Sequence, residues 1–346
     1  MQNTRFFINY KALQAIFILI FVFLPVIGET NELNVYSGRK AKLIKPLLER
    51  FQNETGIQVN LITAKSDALI KRIESEGKSS PADIFITVDV GRLDRAKKMN
   101  LLQKVKIDSI KNKISPNYID KDYKWVGLSK RIRTIVYSKK NVSKSDIDDF
   151  EDLTKNRWKE RICVRSSNNI YNQSLVASLI VSHGEKKAEK IVKNIVDNFA
   201  RKPSGNDRAQ ISAVAKGECY VAIVNHYYYI LMVNSKDSLK KKIAEQVDIL
   251  FLNQDNRGSH VNISGIGIAK YSGNVNNANR LIEFLLNKDS QEWYAKVNNE
   301  YPVIKNAKVT DLLNSWGDIK LDDAALNILG DLNPNAVKLM DRVGWQ

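Results

Sequence analysis

With 346 residues, 43% of them hydrophobic, the chain is longer than one hydrophobic core usually organises, so two lobes are expected. Two cysteines, Cys163 and Cys219, exclude a disulfide-dense scaffold and leave one bridge open in an oxidising compartment. The net charge of +16 is spread among acids along the whole chain rather than gathered on one stripe. That argues against a nucleic-acid partner and for a solvated surface able to attract acidic ones.

The chain opens on an export signal. Arg5 and Lys11 precede an uninterrupted apolar run over 15–24, and Val26-Ile27-Gly28 places short residues where a signal peptidase reads. The run falls short of the roughly 20 residues a bilayer requires. Cleavage near Gly28 and an exported, soluble mature protein are therefore expected, and no cysteine near that boundary offers a lipid acceptor. Residues 33–36 then read as a strand ending at Ser37-Gly38-Arg39. Leu43, Ile44, Leu47, Leu48 and Phe51 share one helical face, with Pro46 inside the pattern delaying the helix start. A strand over 58–62, a helix over 66–76 and an apolar strand over 82–88 complete an α/β lobe with a mainly parallel sheet. The alternation recurs with strands at 161–164, 220–224, 247–252 and 260–269. Helices are expected at 173–182, 187–199, 207–216, 278–286 and 291–297. Ligands of open α/β sheets lie beyond the carboxyl ends of strands, which directs attention to the segments after Tyr36, Val164 and Val224.

Three stretches there carry chemistry. In VAIVNHYYYILM (221–232) an apolar strand ends at Asn225, a good helix N-cap residue, and three tyrosines follow. A phenol ionises only near pH 10 on its own, but a highly charged cation strips its proton, and the resulting hard oxygen suits Fe(III). At a strand-to-helix corner two adjacent tyrosines can turn toward one point; equally, Tyr227, Tyr228 and Tyr229 could simply pack. After residue 164, Arg165-Ser166-Ser167-Asn168-Asn169-Ile170-Tyr171 sets small polar residues and one tyrosine at a helix start, an anion-binding geometry or an ordinary cap. In WVGLSKRIRTIVYS (125–138) Arg131 and Arg133 share one face of an extended chain, suited to salt bridges or to holding an anion bidentately. Arg39 could join them from the opposite lobe.

Enzyme signatures are missing from the sequence: no HExxH, GxSxG, P-loop or GxGxxG, and only three histidines. His226 beside Tyr227 is a conceivable ligand, but a packed or solvated histidine is the expectation.

The ordered set NVYSGRK (34–40), SPADIF (80–85), WVGLSKRIRTIVYS, SSNNIYNQSLVASLI (166–180), GNDRAQISAVAKGECYVAIVNHYYY (205–229), RGSHVNISGIGIAK (257–270), EYPV (300–303) and AVKLMDRVGW (336–345) resembles the periplasmic ferric-iron-binding proteins of bacterial iron importers. The resemblance implies a type II periplasmic-binding fold: two α/β lobes, 31–130 plus 260–307 and 131–259 plus 308–346, joined by crossing strands over a cleft. It implies Tyr171, Tyr227 and Tyr228 as ferric ligands. Arg39, Arg131, Ser167, Asn168, Asp207 and Asn225 would support them or hold carbonate or another small anion. The expected partner is the membrane permease of an ABC-type importer, served by a monomer. Lys40, Ala41 and Val88 stand where many members carry His, Tyr or an acid, and Leu231 where an Arg is frequent, so the first lobe is expected to offer no strong metal ligand. A disulfide between Cys163 and Cys219 stays open, as do a metal-free anion carrier, an exported hydrolase and a scaffold that has lost its metal.

Overall fold

The alternation of apolar runs and amphipathic segments is realised element by element in the computed structural model, which describes residues 31–106, 108–322 and 326–346. The expected export signal, over residues 1–28, lies outside the described residues. The first half runs β1 (Glu32–Ser37), α1 (Lys45–Thr55), β2 (Gln58–Thr63), α2 (Ser66–Glu76), β3 (Ile84–Val88), α3 (Val90–Lys98), β4 (Leu102–Gln103) and β5 (Val126–Ser138). It continues with β6 (Ile162–Cys163), α4 (Ile170–His183), α5 (Glu185–Asp197), α6 (Asp207–Ala215), β7 (Val221–Asn225), α7 (His226–Val233), α8 (Ser238–Glu245) and β8 (Val247–Leu250). Then come β9 (Val261–Ala269), α9 (Val275–Leu285), α10 (Lys288–Trp293), β10 (Tyr301–Pro302), α11 (Asp311–Asn314), α12 (Leu326–Asp331) and α13 (Asn333–Arg342).

α1 starts at Lys45, later than the apolar spacing from Leu43 implies, as expected from Pro46, which occupies the first turn, where its missing N–H has no helical partner to lose. Gly56, at φ 70°, closes the helix with its N–H on Gln52.

β1 pairs in parallel with β2 and β3, and β9 returns antiparallel to β3. β5, thirteen residues long, pairs antiparallel with β9 from Val126 to Ile132, then with β7 and β8 from Arg133 to Ser138. One strand therefore runs from the first lobe into the second. Leu33, Val35, Phe51, Ile84, Ile266 and Leu285 build the first core. Ile135, Ile162, Leu179, Ile191, Ile223 and Leu339 build the second, and Cys163, Ile211, Val214 and Val224 pack on the other face of the same sheet. Cys163 and Cys219 are disulfide-bonded there, with Cα atoms 5.8 Å apart, which closes the question their spacing left open.

α3 and the C-terminal helices were not legible. The charge-dense VGRLDRAKK hides a short helix that begins at Asp89, whose φ of 79° is adopted rarely by non-glycine residues. α12 packs across it, with Leu326 and Leu329 joining Val90 and Leu93 in the second core and Lys98 bridging Asp94 and Asp331.

Candidate functional site

β7 delivers the chain to Asn225 and α7 starts at His226, so successive side chains turn by about 100° instead of alternating between two faces. Tyr229 goes inward, packing with Val214 and Met232. Tyr227 and Tyr228 stay together, ring centroids 4.4 Å apart and planes inclined at 42°. Asn225 does not cap the helix with its side chain. Its Nδ2 donates to the Tyr227 hydroxyl at 3.0 Å and its Oδ1 accepts from Arg133 at 3.1 Å. His226 is fully buried: Nδ1 accepts from the Ile132 N–H at 3.1 Å, leaving Nε2 to donate to the Asn299 carbonyl at 2.9 Å. Burial pulls its pKa down to about 4, so it is a neutral strut between segments, with neither nitrogen free.

Tyr171, in the first turn of α4, reaches the same place from a segment more than fifty residues away. Arg131, on β5, donates through one nitrogen, Nη2, to the Tyr171 hydroxyl at 3.0 Å and also to the Tyr227 hydroxyl. Its guanidinium carbon lies 4.6 Å and 4.8 Å from the two ring centroids, within cation–π range. Burial drives Tyr227 well above the ordinary phenol range against the pull of Arg131, and pushes Tyr228 up to about 12, with Tyr171 and Asp207 adding to it. Both are neutral phenols at physiological pH. Burial works against the Arg131 charge, but Tyr171, Tyr227 and Glu300 outweigh it and hold the guanidinium protonated.

Arg133 faces the same way as Arg131 but serves other partners. It donates to Asp207 Oδ1 at 2.8 Å and to Asn172, while Arg165 takes Asp207 Oδ2 at 2.7 Å. The Asn225 N–H donates to Asp207 as well, at 3.1 Å. Burial opposes the Asp207 charge, and the two arginines overcome it and hold the carboxyl below its usual range. Asp207 is thus a buried brace behind the tyrosine corner.

The other expected residues are placed differently. The Asn168 N–H donates to Ser166 Oγ at 3.1 Å and the Ser167 carbonyl accepts from Gln173 at 2.9 Å, so this turn spends those groups on itself. Arg39 is buried and pairs with both oxygens of Glu300, at 3.0 and 3.1 Å, and with Ser264 at 2.5 Å. It meets Arg131 only through that carboxylate, whose Oε1 lies 3.5 Å from Arg131 Nε. Glu300 was missed. Its stretch, EYPV, contributed to the resemblance without a role, and nothing in the spacing ties it to residues more than 160 positions earlier. Among the described residues no three His, Cys, Asp or Glu side chains gather as a metal-holding group.

Residues 79–321 match the family model described as bacterial extracellular solute-binding protein. Iron uptake protein A1 of Synechocystis is 42% identical over 320 residues, covering 92% of this chain and 89% of that protein. The chain belongs to the family of the periplasmic ferric-iron-binding proteins. Another member, the major ferric iron-binding protein of Neisseria meningitidis serogroup B, is 26% identical over 319 residues, 91% of this chain and 93% of its own length. A Trichodesmium FutA structure in complex with iron and citrate is 44% identical, with a TM-score of 0.88, over 91% of this chain and all of that one. Family membership establishes the type II periplasmic-binding fold expected above. As a periplasmic ferric-iron-binding protein, the chain is a carrier of Fe(III) in transport and not an enzyme.

Proposed function

We propose that the protein binds Fe(III) through the phenolates of Tyr171, Tyr227 and Tyr228. In this reading a synergistic small anion, carbonate or similar, sits beside Arg131, and the ion passes to the membrane permease of an ABC-type importer. The observation that supports it is the meeting of Tyr171 and Tyr227, from separate segments, on one buried cationic nitrogen, with Tyr228 stacked alongside. Three phenolates balance a +3 ion, and hard oxygen donors suit it. The same three would serve a softer or less charged ion poorly. Because Tyr227 and Tyr228 are neutral phenols when no metal is bound, loading must release protons, and affinity must fall with acid.

The first lobe supplies closure rather than a ligand, with Lys40 and Ala41 exposed at the end of β1. We take the lobes as 31–130 plus 260–307 and 131–259 plus 308–346, and the working form as a monomer cleaved near Gly28. Ligand shifts the open–closed balance only by preferring the closed form. The test is a visible phenolate-to-iron charge-transfer band on adding ferric citrate, with metal analysis, for wild type and Tyr228→Phe. Loss of colour and iron in the variant is expected. A colourless wild type that still folds would sink the reading.

A further inference from the structure

The charges buried behind the tyrosines are unevenly engaged. Glu300 is held on all sides: Arg39 takes both oxygens, and Ser129 and Ser264 donate to Oε2. Arg131 is stretched. One terminal nitrogen is shared between the Tyr171 and Tyr227 hydroxyls, and its Nε is buried without a hydrogen-bond partner, 3.5 Å from Glu300 Oε1. A charge-assisted N–H···O contact closes to about 2.7–2.9 Å, so this one is only half made. On the ferric reading, the ion and Arg131 Nη2 compete for the same two oxygens, those of Tyr171 and Tyr227. Two cations there repel in a site of low dielectric, and phenolates bound to iron have fewer lone pairs left for Arg131.

We propose that Arg131 is the stand-in cation of the unloaded tyrosine site, and that Glu300 is the positioning residue that draws it aside when iron arrives. The proposal rests on the ferric reading above. Glu300 touches no phenol and acts through Arg131. Because Arg39 and two serines fix the carboxylate, closing the 3.5 Å gap requires Arg131 to move. Iron capture is then an exchange of one cation for another. One carboxylate shared by Arg39 and Arg131 leaves a single positive charge beside the loaded site, which an accompanying anion can offset.

A double-mutant cycle tests this, with ferric nitrilotriacetate as donor in bicarbonate-depleted buffer and the charge-transfer band titrated against citrate. Arg131→Gln is expected to take iron about tenfold more tightly than wild type and Glu300→Gln about tenfold less tightly. The double variant is expected to match Arg131→Gln, because Glu300 has nothing left to act on. A Glu300→Gln penalty that persists undiminished in the Arg131→Gln background assigns Glu300 a merely structural role and overturns the proposal. If Glu300→Gln does not fold, Arg131→Gln decides: affinity no tighter than wild type overturns the exchange, and tighter binding supports it. A wild type without the band overturns the ferric reading and the exchange together. A wild-type band with weaker binding in Arg131→Gln overturns the exchange alone.

Discussion

Replacing Asp207 by Asn tests the brace and the site at once. The carboxylate is fully buried between Arg133, whose side chain is 2% exposed, and Arg165, 21% exposed. Removing one partner of a buried pair costs about 3–5 kcal/mol. Arg165 can turn toward water, whereas Arg133 cannot, so the lower end, about 3 kcal/mol, is expected. At roughly 2 °C per kcal/mol for a chain of this size, the melting temperature at pH 7 falls by about 6 °C. Asn keeps one acceptor oxygen where Asp207 offers two, so Arg133, Arg165 and the Asn225 N–H compete for it, which loosens the side chain that holds the Tyr227 hydroxyl. A supporting partner of this kind typically carries 10–100-fold in metal affinity, and about tenfold is expected for ferric binding. The sign with pH follows from the lowered pKa of Asp207. Its contribution is full above the ordinary carboxylate range and disappears as pH falls through the folded-state value, so wild type and variant must converge in acid. Thermal melts from pH 7 downward and a ferric titration measure both effects. A variant melting within about 1 °C of wild type at pH 7, with unchanged iron affinity, would refute the reasoning.

Three further outcomes are expected. Tyr229→Phe should keep the ferric band and Tyr227→Phe should lose it, since Tyr229 packs against Val214 and Met232 while Tyr227 shares Arg131 with Tyr171; parallel visible spectra decide. His226, neutral in the fold with a pKa of about 4, stabilises fully above its ordinary value of about 6.5. That contribution drains as pH falls toward 4, by about 3 kcal/mol in all, so His226→Gln should flatten melting temperature against pH between 7 and 4. The Cys163–Cys219 bond closes a loop of sequence separation 56, for which chain entropy predicts about 4 kcal/mol. Reduction should lower the melting temperature of the iron-free protein while leaving the charge-transfer band of the loaded form in place.

How much was legible depended on whether a residue's role was local. The strand–helix alternation shows in hydrophobic spacing, and β1, α2 and β7 lie within a residue or two of where that spacing puts them. The tyrosine corner was legible because a strand ending in Asn225 followed by three phenols bears its chemistry in one short run. Pro46 was legible because its missing N–H acts locally, setting the head of α1 at Lys45, after Leu43 and Ile44. Asn225 looked like a cap because asparagine usually caps, but its side chain is claimed by Tyr227 and Arg133. Glu300 and Asp89 stayed hidden because their partners come together only when β5, β9 and α4 are assembled. Asp89 accepts from Ser174 at 2.6 Å, a contact between segments 85 residues apart. Arg39 was expected near the ion, and its pairing with Glu300 follows from burial that no spacing discloses.

β5 changes its neighbour between Ile132 and Arg133, and Arg131 and Arg133 stand on either side of that change. Any rotation of one half of the molecule against the other must twist the strand near this point. A fulcrum travels least and turns most. Should the proposed lobes rotate against each other, their rims would swing far while the guanidiniums change only in angle, and Arg131 is the side chain beside the tyrosines at which such a turn would register.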